Sequence, residues 1–493
     1  MHMIKFTRFY ALALFVLGIA GAALAKEPQG KDNGYLIKVK ITGVKDSMIL
    51  LANYYADKQY LRDSAFLDKQ GYYVFKGTKK LDQGMYTVAG QARIKYFDFI
   101  VDETQQINIV TDTADFNMHM KITGSVENDI FYEYLKHMQA QYEKMMPLQE
   151  AYNRNKATNK DSAAIYKTQM SVMDSTVQDY KKNFIARYPK ALFPKVLLMM
   201  QEVDVPEAPK LPNGQIDSTF GYRYYKAHYW DKVDLADDRL LRTPLFNDKF
   251  KRFFDNVVIQ QPDTVFKEAV KMIDRTNGNK EMFKYLVVTI TNRCETSDIM
   301  GMDAGFVHMV NKYYRTNQAY WVDTASLVRI IKRADDLTPI MLGKIAPPLN
   351  SYDSTLTRPI PLYGVKAKYT VVVFWDPGCG HCQKEMPKLV TAHKKMLADK
   401  MDVQVYSVCA TSQVEEWKKY IRDNKHTSFI NVVDHDLSRR QYDVTSTPVF
   451  FILDENKKII AKRLVSEQIE DFLIRHSTLN GKQQIVQLQQ MEE

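Results

Sequence analysis

Apolar and polar positions change rhythm twice along this 493-residue chain. Between 34 and 124 they alternate in short runs. Tyr35-Leu-Ile-Lys-Val-Lys-Ile41 sends every second side chain to one face and stops at Gly43. Met48 to Tyr54, Gly71 to Phe75, Met85 to Val88, Tyr96 to Val101 and Ile107 to Val110 follow, separated by turn-forming residues. A period of two predicts strands, and this many short ones predict a small antiparallel β-sandwich-like domain over 26–124. From 125 to 338 apolar residues recur every three to four positions, as in Ile130, Phe131, Tyr134, Leu135 and Met138. That spacing predicts an α-helical middle domain, with helices over 128–146 and near 161–187, 191–201, 246–275, 280–292, 303–315 and 323–335. The proline-rich stretch Val205 to Gly214 interrupts it as a loop.

Thr338-Pro339 and Ala346-Pro-Pro348 end the helical rhythm. Strand (369–375), helix (380–400), strand (402–408), helix (413–425), strand (429–433), two more strands (449–453 and 458–464) and a helix (466–477) then follow. This alternation predicts an α/β domain with a mixed sheet over 339–480. Residues 481–493 read as a polar tail.

Charge adds an address more than a partner. Lys5 and Arg8 precede an apolar run from Tyr10 to Leu24, and Ala23-Leu24-Ala25 supplies small residues for cleavage. Residues 1–25 therefore read as a signal peptide, with an uncleaved anchor as the alternative. No cysteine follows the run, so a lipid anchor on cysteine is not indicated. The expected location is outside the cytoplasm, in the periplasm or cell envelope of a Gram-negative bacterium. The formal charge of +10 is spread among interspersed acids and bases with no dense basic tract, which argues against nucleic acid as a partner. Four cysteines in a chain of this length are too few for a disulfide scaffold in an oxidising compartment. Cys294 and Cys409 read as buried small hydrophobes.

The other two stand in Val-Val-Val-Phe-Trp-Asp-Pro-Gly-Cys379-Gly-His-Cys382. A C-x-x-C pair between a β-branched run and a helix places Cys379 at a helix N-terminus, where amide dipoles and His381 favour the thiolate. Cys382 is close enough to resolve a mixed disulfide. Zinc is the competing reading, but it needs four ligands, and no second C-x-x-C or H-x-x-H is present. No cofactor or metal is expected.

The run Phe374-Trp375, Cys379-Gly-His-Cys382 and Glu385-Met-Pro387, with the approach Gly343-Lys-Ile-Ala-Pro347, resembles the exported thioredoxin-fold thiol–disulfide oxidoreductases of the TlpA/ResA-like group. The resemblance covers about 140 residues and implies a thioredoxin fold for the C-terminal domain. It implies Cys379, Cys382 and Glu385 as catalytic residues, the last moving protons for the buried thiol. It also implies that Thr447 and Pro448 form a cis-proline loop that positions the substrate, with Trp375 and His381 beside them. Two departures matter. Gly378 stands where the group has Trp, and Gly380-His381 is the dipeptide of disulfide isomerases. A histidine there stabilises the thiolate and raises the potential; thioredoxin and disulfide isomerase differ by about 90 mV. The expected function is disulfide reduction on exported proteins, apocytochromes among the candidates, with a membrane electron donor or other redox partner. The alternatives are an isomerase or oxidase, and an envelope partner-binding protein whose thioredoxin domain is accessory.

Overall fold

The computed structural model describes residues 34–410, 413–424, 426–434 and 438–491. The expected signal peptide lies outside them. The chain is multidomain, with a β-sandwich-like start, a helical middle and a C-terminal thioredoxin fold.

The first region holds β1 (Tyr35–Thr42), β2 (Met48–Tyr55), β3 (Lys58–Phe66), β4 (Tyr73–Gly77), β5 (Gly84–Gly90), β6 (Lys95–Val101), β7 (Gln106–Asp112) and β8 (Lys121–Thr123). They form two sheets, ordered β4-β1-β7-β8 and β3-β2-β5-β6. Alternation does what the sequence predicts: Ile37, Val39 and Ile41 of β1 face inward onto Ile49, Leu51, Phe75 and Phe99. Two details differ from expectation. β1 and β7 pair in parallel, so the sandwich is not wholly antiparallel. β3 is a strand that the sequence reading misses, because it is a mostly exposed edge with Lys58, Arg62 and Asp63 and no apolar alternation.

The middle region holds α1 (Val126–Asn155), α2 (Lys160–Arg187), α3 (Leu192–Met199), α4 (Phe220–His228), α5 (Phe246–Arg252), α6 (Pro262–Asp274), α7 (Lys280–Glu295), α8 (Asp303–Met309) and α9 (Thr324–Leu337). Ser125 caps α1 by accepting from the Asn128 amide at 3.3 Å. The Asn128 side chain also exchanges two hydrogen bonds with Ile100 of β6, at 2.8 and 2.6 Å, which fixes the helix to the sandwich. The expected single helix over 246–275 is broken by a π-turn at Phe253–Val257, and helix resumes with Pro262 in its first turn, where a missing amide costs nothing.

The last region holds β9 (Asn350–Tyr352), β10 (Pro359–Pro361), β11 (Tyr369–Trp375), α10 (Gly380–Ala398), β12 (Val403–Cys409), α11 (Val414–Asp423), β13 (Ile430–Val433), β14 (Val449–Leu453), β15 (Ile459–Lys462) and α12 (Ser466–Met491). The last helix thus runs beyond the expected end near 477. The sheet order is β10-β9-β13-β12-β11-β14-β15. β11 is central, parallel to β12 and antiparallel to β14, and all seven of its residues are buried. Its odd-numbered residues Val371, Val373 and Trp375 pack on α10 and α12, through Cys382, Met386, Leu389, Ile469 and Leu473. Val372 and Phe374 face the other way, into a core continuous with the helical region and the sandwich.

Candidate active site

A strand that ends at Trp375 and a helix that begins at Gly380 leave four residues to make the turn. Asp376 shapes it: its carboxylate accepts from the Gly378 amide at 2.7 Å, and its carbonyl from the Cys379 amide at 3.1 Å. Cys379 is the N-cap of α10 and half-buried; Cys382, one turn in, is fully buried. The two sulfurs therefore differ in environment. Burial alone would raise the Cys379 thiol, but hydrogen bonds led by the Cys382 amide outweigh it and hold the thiol below its ordinary value. Burial pushes Cys382 up to about 11. One thiol is thus the readier to ionise and the other the more firmly protonated.

The Thr447–Pro448 peptide is cis and faces the dithiol. The Cys379 thiol donates to the Thr447 carbonyl at 3.4 Å. That carbonyl favours the protonated sulfur, so the thiolate relies on the Cys382 and His381 amides together with the Thr447 and Cys382 side chains. His381 is exposed at the mouth, and it lines the same cavity as Glu385 and Pro448.

Glu385 sits where expected, on the buried side of α10 beyond Cys382, but its partners are not the sulfurs. Lys388 Nζ donates to it at 2.9 Å and the Ser466 amide at 3.1 Å; burial would raise its pKa, yet these bonds hold it below the usual carboxylate range. Trp375 requires a correction. It is fully buried, donates to Ser407 Oγ at 2.7 Å and packs at a tilt against Tyr420 and His426. It cannot touch a substrate, and it backs the dithiol from inside. The sequence reading misses His426, whose ring nitrogens are buried without hydrogen-bond partners among the described residues, and Lys388 and Ser466, the groups that grip Glu385. Only Lys388, three positions after Glu385 on one helix, carried a local signal.

A C-x-x-C pair capping the helix after the central strand, opposite a cis-proline, defines a thioredoxin-like domain. Residues 366–459 match the family model described as thioredoxin-like, and the chain carries that domain behind two others. Residues 35–131 and 153–338 match domains of unknown function, DUF4369 and DUF5106. Over 94 residues, 19% of this chain and 55% of the relative, the sequence is 29% identical to the thioredoxin-like protein YneN of Bacillus subtilis. The chain thus spans about half the length of that relative. A domain of a possible thiol–disulfide isomerase from Cytophaga hutchinsonii is 41% identical, with 29% of this chain and 97% of that one covered, at a TM-score of 0.27. A thioredoxin-like protein from Bacteroides caccae is 20% identical, with 56% and 99% covered, at a TM-score of 0.44. Among the described residues no helix is long and apolar enough to cross a membrane.

Proposed function

We propose that the protein is a thiol–disulfide oxidoreductase that reduces disulfides in exported proteins. The contrast between the two sulfurs carries the reading: an accessible thiol held low by hydrogen bonds led by the Cys382 amide, beside a buried one held high. The Cys379 thiolate attacks a substrate disulfide, forming a mixed disulfide and expelling one substrate thiolate, which takes a proton. Cys382 then loses its proton and attacks the Cys379 sulfur, so the second substrate thiol leaves. Two electrons pass to the substrate and the enzyme is left as the Cys379–Cys382 disulfide. Its return requires a two-electron thiol donor, for which a membrane-held dithiol is suited. Glu385 receives the Cys382 proton after release from Lys388, and the Thr447 backbone aligns the incoming chain. Apocytochromes are one substrate class with exported thiols. Insulin reduction tests the nucleophile: Cys379→Ser must lose it, and wild-type turnover in that variant would refute the assignment.

Isomerase or oxidase activity is the second reading, favoured by the exposed His381 at the mouth. A redox titration separates the two, since a potential below about −250 mV marks a reductase and one near −180 mV an isomerase. A Cys382→Ser variant that accumulates mixed disulfides would identify the physiological partner.

A further inference from the structure

Beside the dithiol, reached through His381 and Glu385 of α10, lies a cavity of about 340 Å³ that two domains build together. His381, Glu385 and Pro448 form its redox end. Arg333 of α9 and Ile340 close it from the helical region, while Arg463 and Leu464 close it from the turn between β15 and α12. A volume of this size lies at the lower end of the about 300–1,000 Å³ typical of ligand sites. It is large enough for side chains of a peptide segment, and its lining residues Ser446 and Pro448 flank Thr447, whose carbonyl faces Cys379.

Its charges are not balanced. Arg333 is bound to Asp443 and lies 3.8 Å from Glu295. Lys462 is bound to buried Asp303, and Glu385 to Lys388. Arg463 is different: it is exposed, and among the described residues no carboxylate pairs with it. Its backbone is held at φ 60°, and Asp443 across the cavity at φ 52°. Both are left-handed positions where glycine or asparagine fits more easily, and such residues gather at functional sites. The turn thus keeps an arginine on the rim at a conformational cost, with no carboxylate partner among the described residues to explain it.

We propose that this cavity seats a substrate segment carrying an acidic side chain beside the cysteine under attack, with Arg463 as the group that receives the carboxylate. The inference rests on the thiol–disulfide exchange proposed above and names its substrate class. Selection then arises jointly from the thioredoxin-like domain and the wall that Arg333 and Ile340 provide.

The test uses the full chain and disulfide-linked peptides that differ only in Glu, Gln or Lys next to the cysteine. Wild-type protein should exchange the Glu peptide about tenfold faster in kcat/KM than the Lys peptide, and the gap should narrow at high salt. Arg463→Asn, which suits the left-handed backbone, should remove the preference, and Arg463→Glu should reverse it. A second arm measures dissociation constants of the same peptides with alanine in place of cysteine, so binding is read without chemistry. Equal exchange and equal binding of the three peptides, or a preference unchanged in both variants, would overturn the proposal. Charge-ordered binding that follows Arg463, with no exchange of any peptide, would uphold the subsite and sink the oxidoreductase reading instead.

Discussion

On one side of the C-terminal sheet, Val371, Val373 and Trp375 are covered by α10 and α12, elements from the same stretch of chain. On the other side, Val372, Phe374, Tyr406 and Phe451 enter a core that includes Met302, Leu337 and Ile340 of the helical region. The first side carries the dithiol and holds polar atoms that lack hydrogen-bond partners among the described residues: both nitrogens of His426 and the indole nitrogen of Trp417. The second side is tied by long-range polar contacts. Lys462 Nζ donates to Asp303 and, at 2.7 Å, to the Ile340 carbonyl, while the Tyr406 hydroxyl donates to the Ile360 carbonyl at 2.6 Å. The difference separates what any thioredoxin-like domain needs for its chemistry from what binds this one to its own neighbours.

The largest expected effect lies on the dithiol side. Cys379→Ser should reduce insulin-disulfide turnover to the uncatalysed rate, while Cys382→Ser should stall as a mixed disulfide visible by mass. Asp303→Ala probes the other side. It leaves a buried ammonium without its carboxylate and should cost about 3–5 kcal/mol in urea unfolding. Asp336→Ala, which removes the exposed partner of Lys332 on α9, should cost less than about 1 kcal/mol. Equal costs would show that the helical region is not bound into the C-terminal core.

His426 sharpens the contrast through pH. It is fully buried, with Trp375, Tyr420 and Phe429 around its ring and no carboxylate among its described contacts. Burial lowers its pKa from 6.5 to about 4. A base depressed on folding contributes its stability in full above the unfolded value and loses it as pH falls from 6.5 toward 4. The loss is about 3 kcal/mol. His426→Phe should flatten the stability profile in that window; an unchanged profile would assign the acid sensitivity elsewhere. The smallest effect concerns the two sulfurs. Alkylation of Cys379 in the reduced protein should reach its midpoint below the roughly 8.5 of a free thiol. Cys382, pushed up to about 11, should stay unmodified at neutral pH.

What the sequence made legible follows the same division. The C-x-x-C pair could be placed because it is a local pattern attached to a strand, and strands announce themselves by period; Thr447-Pro448 could be placed only through the resemblance to the TlpA/ResA-like group, since the sequence by itself does not mark a cis peptide. β3 could not, because an exposed edge needs no apolar face. The grip of Lys388 and Ser466 on Glu385 was only half visible, since Ser466 lies 81 positions away. Asp303 and Lys462 are 159 positions apart, and Arg333 and Asp443 are 110 apart. Such pairings are decided by how whole domains pack, and no window of sequence contains them. Trp375 shows the reverse error: a motif residue carried over by position was given a contact that its burial forbids.

The exposure of a single sulfur has one more consequence. Cys382 is wholly buried, so every partner, whether it brings a disulfide or takes one away, must reach the pair through Cys379 at the same opening. Two visitors cannot occupy it together. The protein must therefore serve them in turn, and its steady-state kinetics should show the parallel double-reciprocal lines of a shuttle that empties before it reloads.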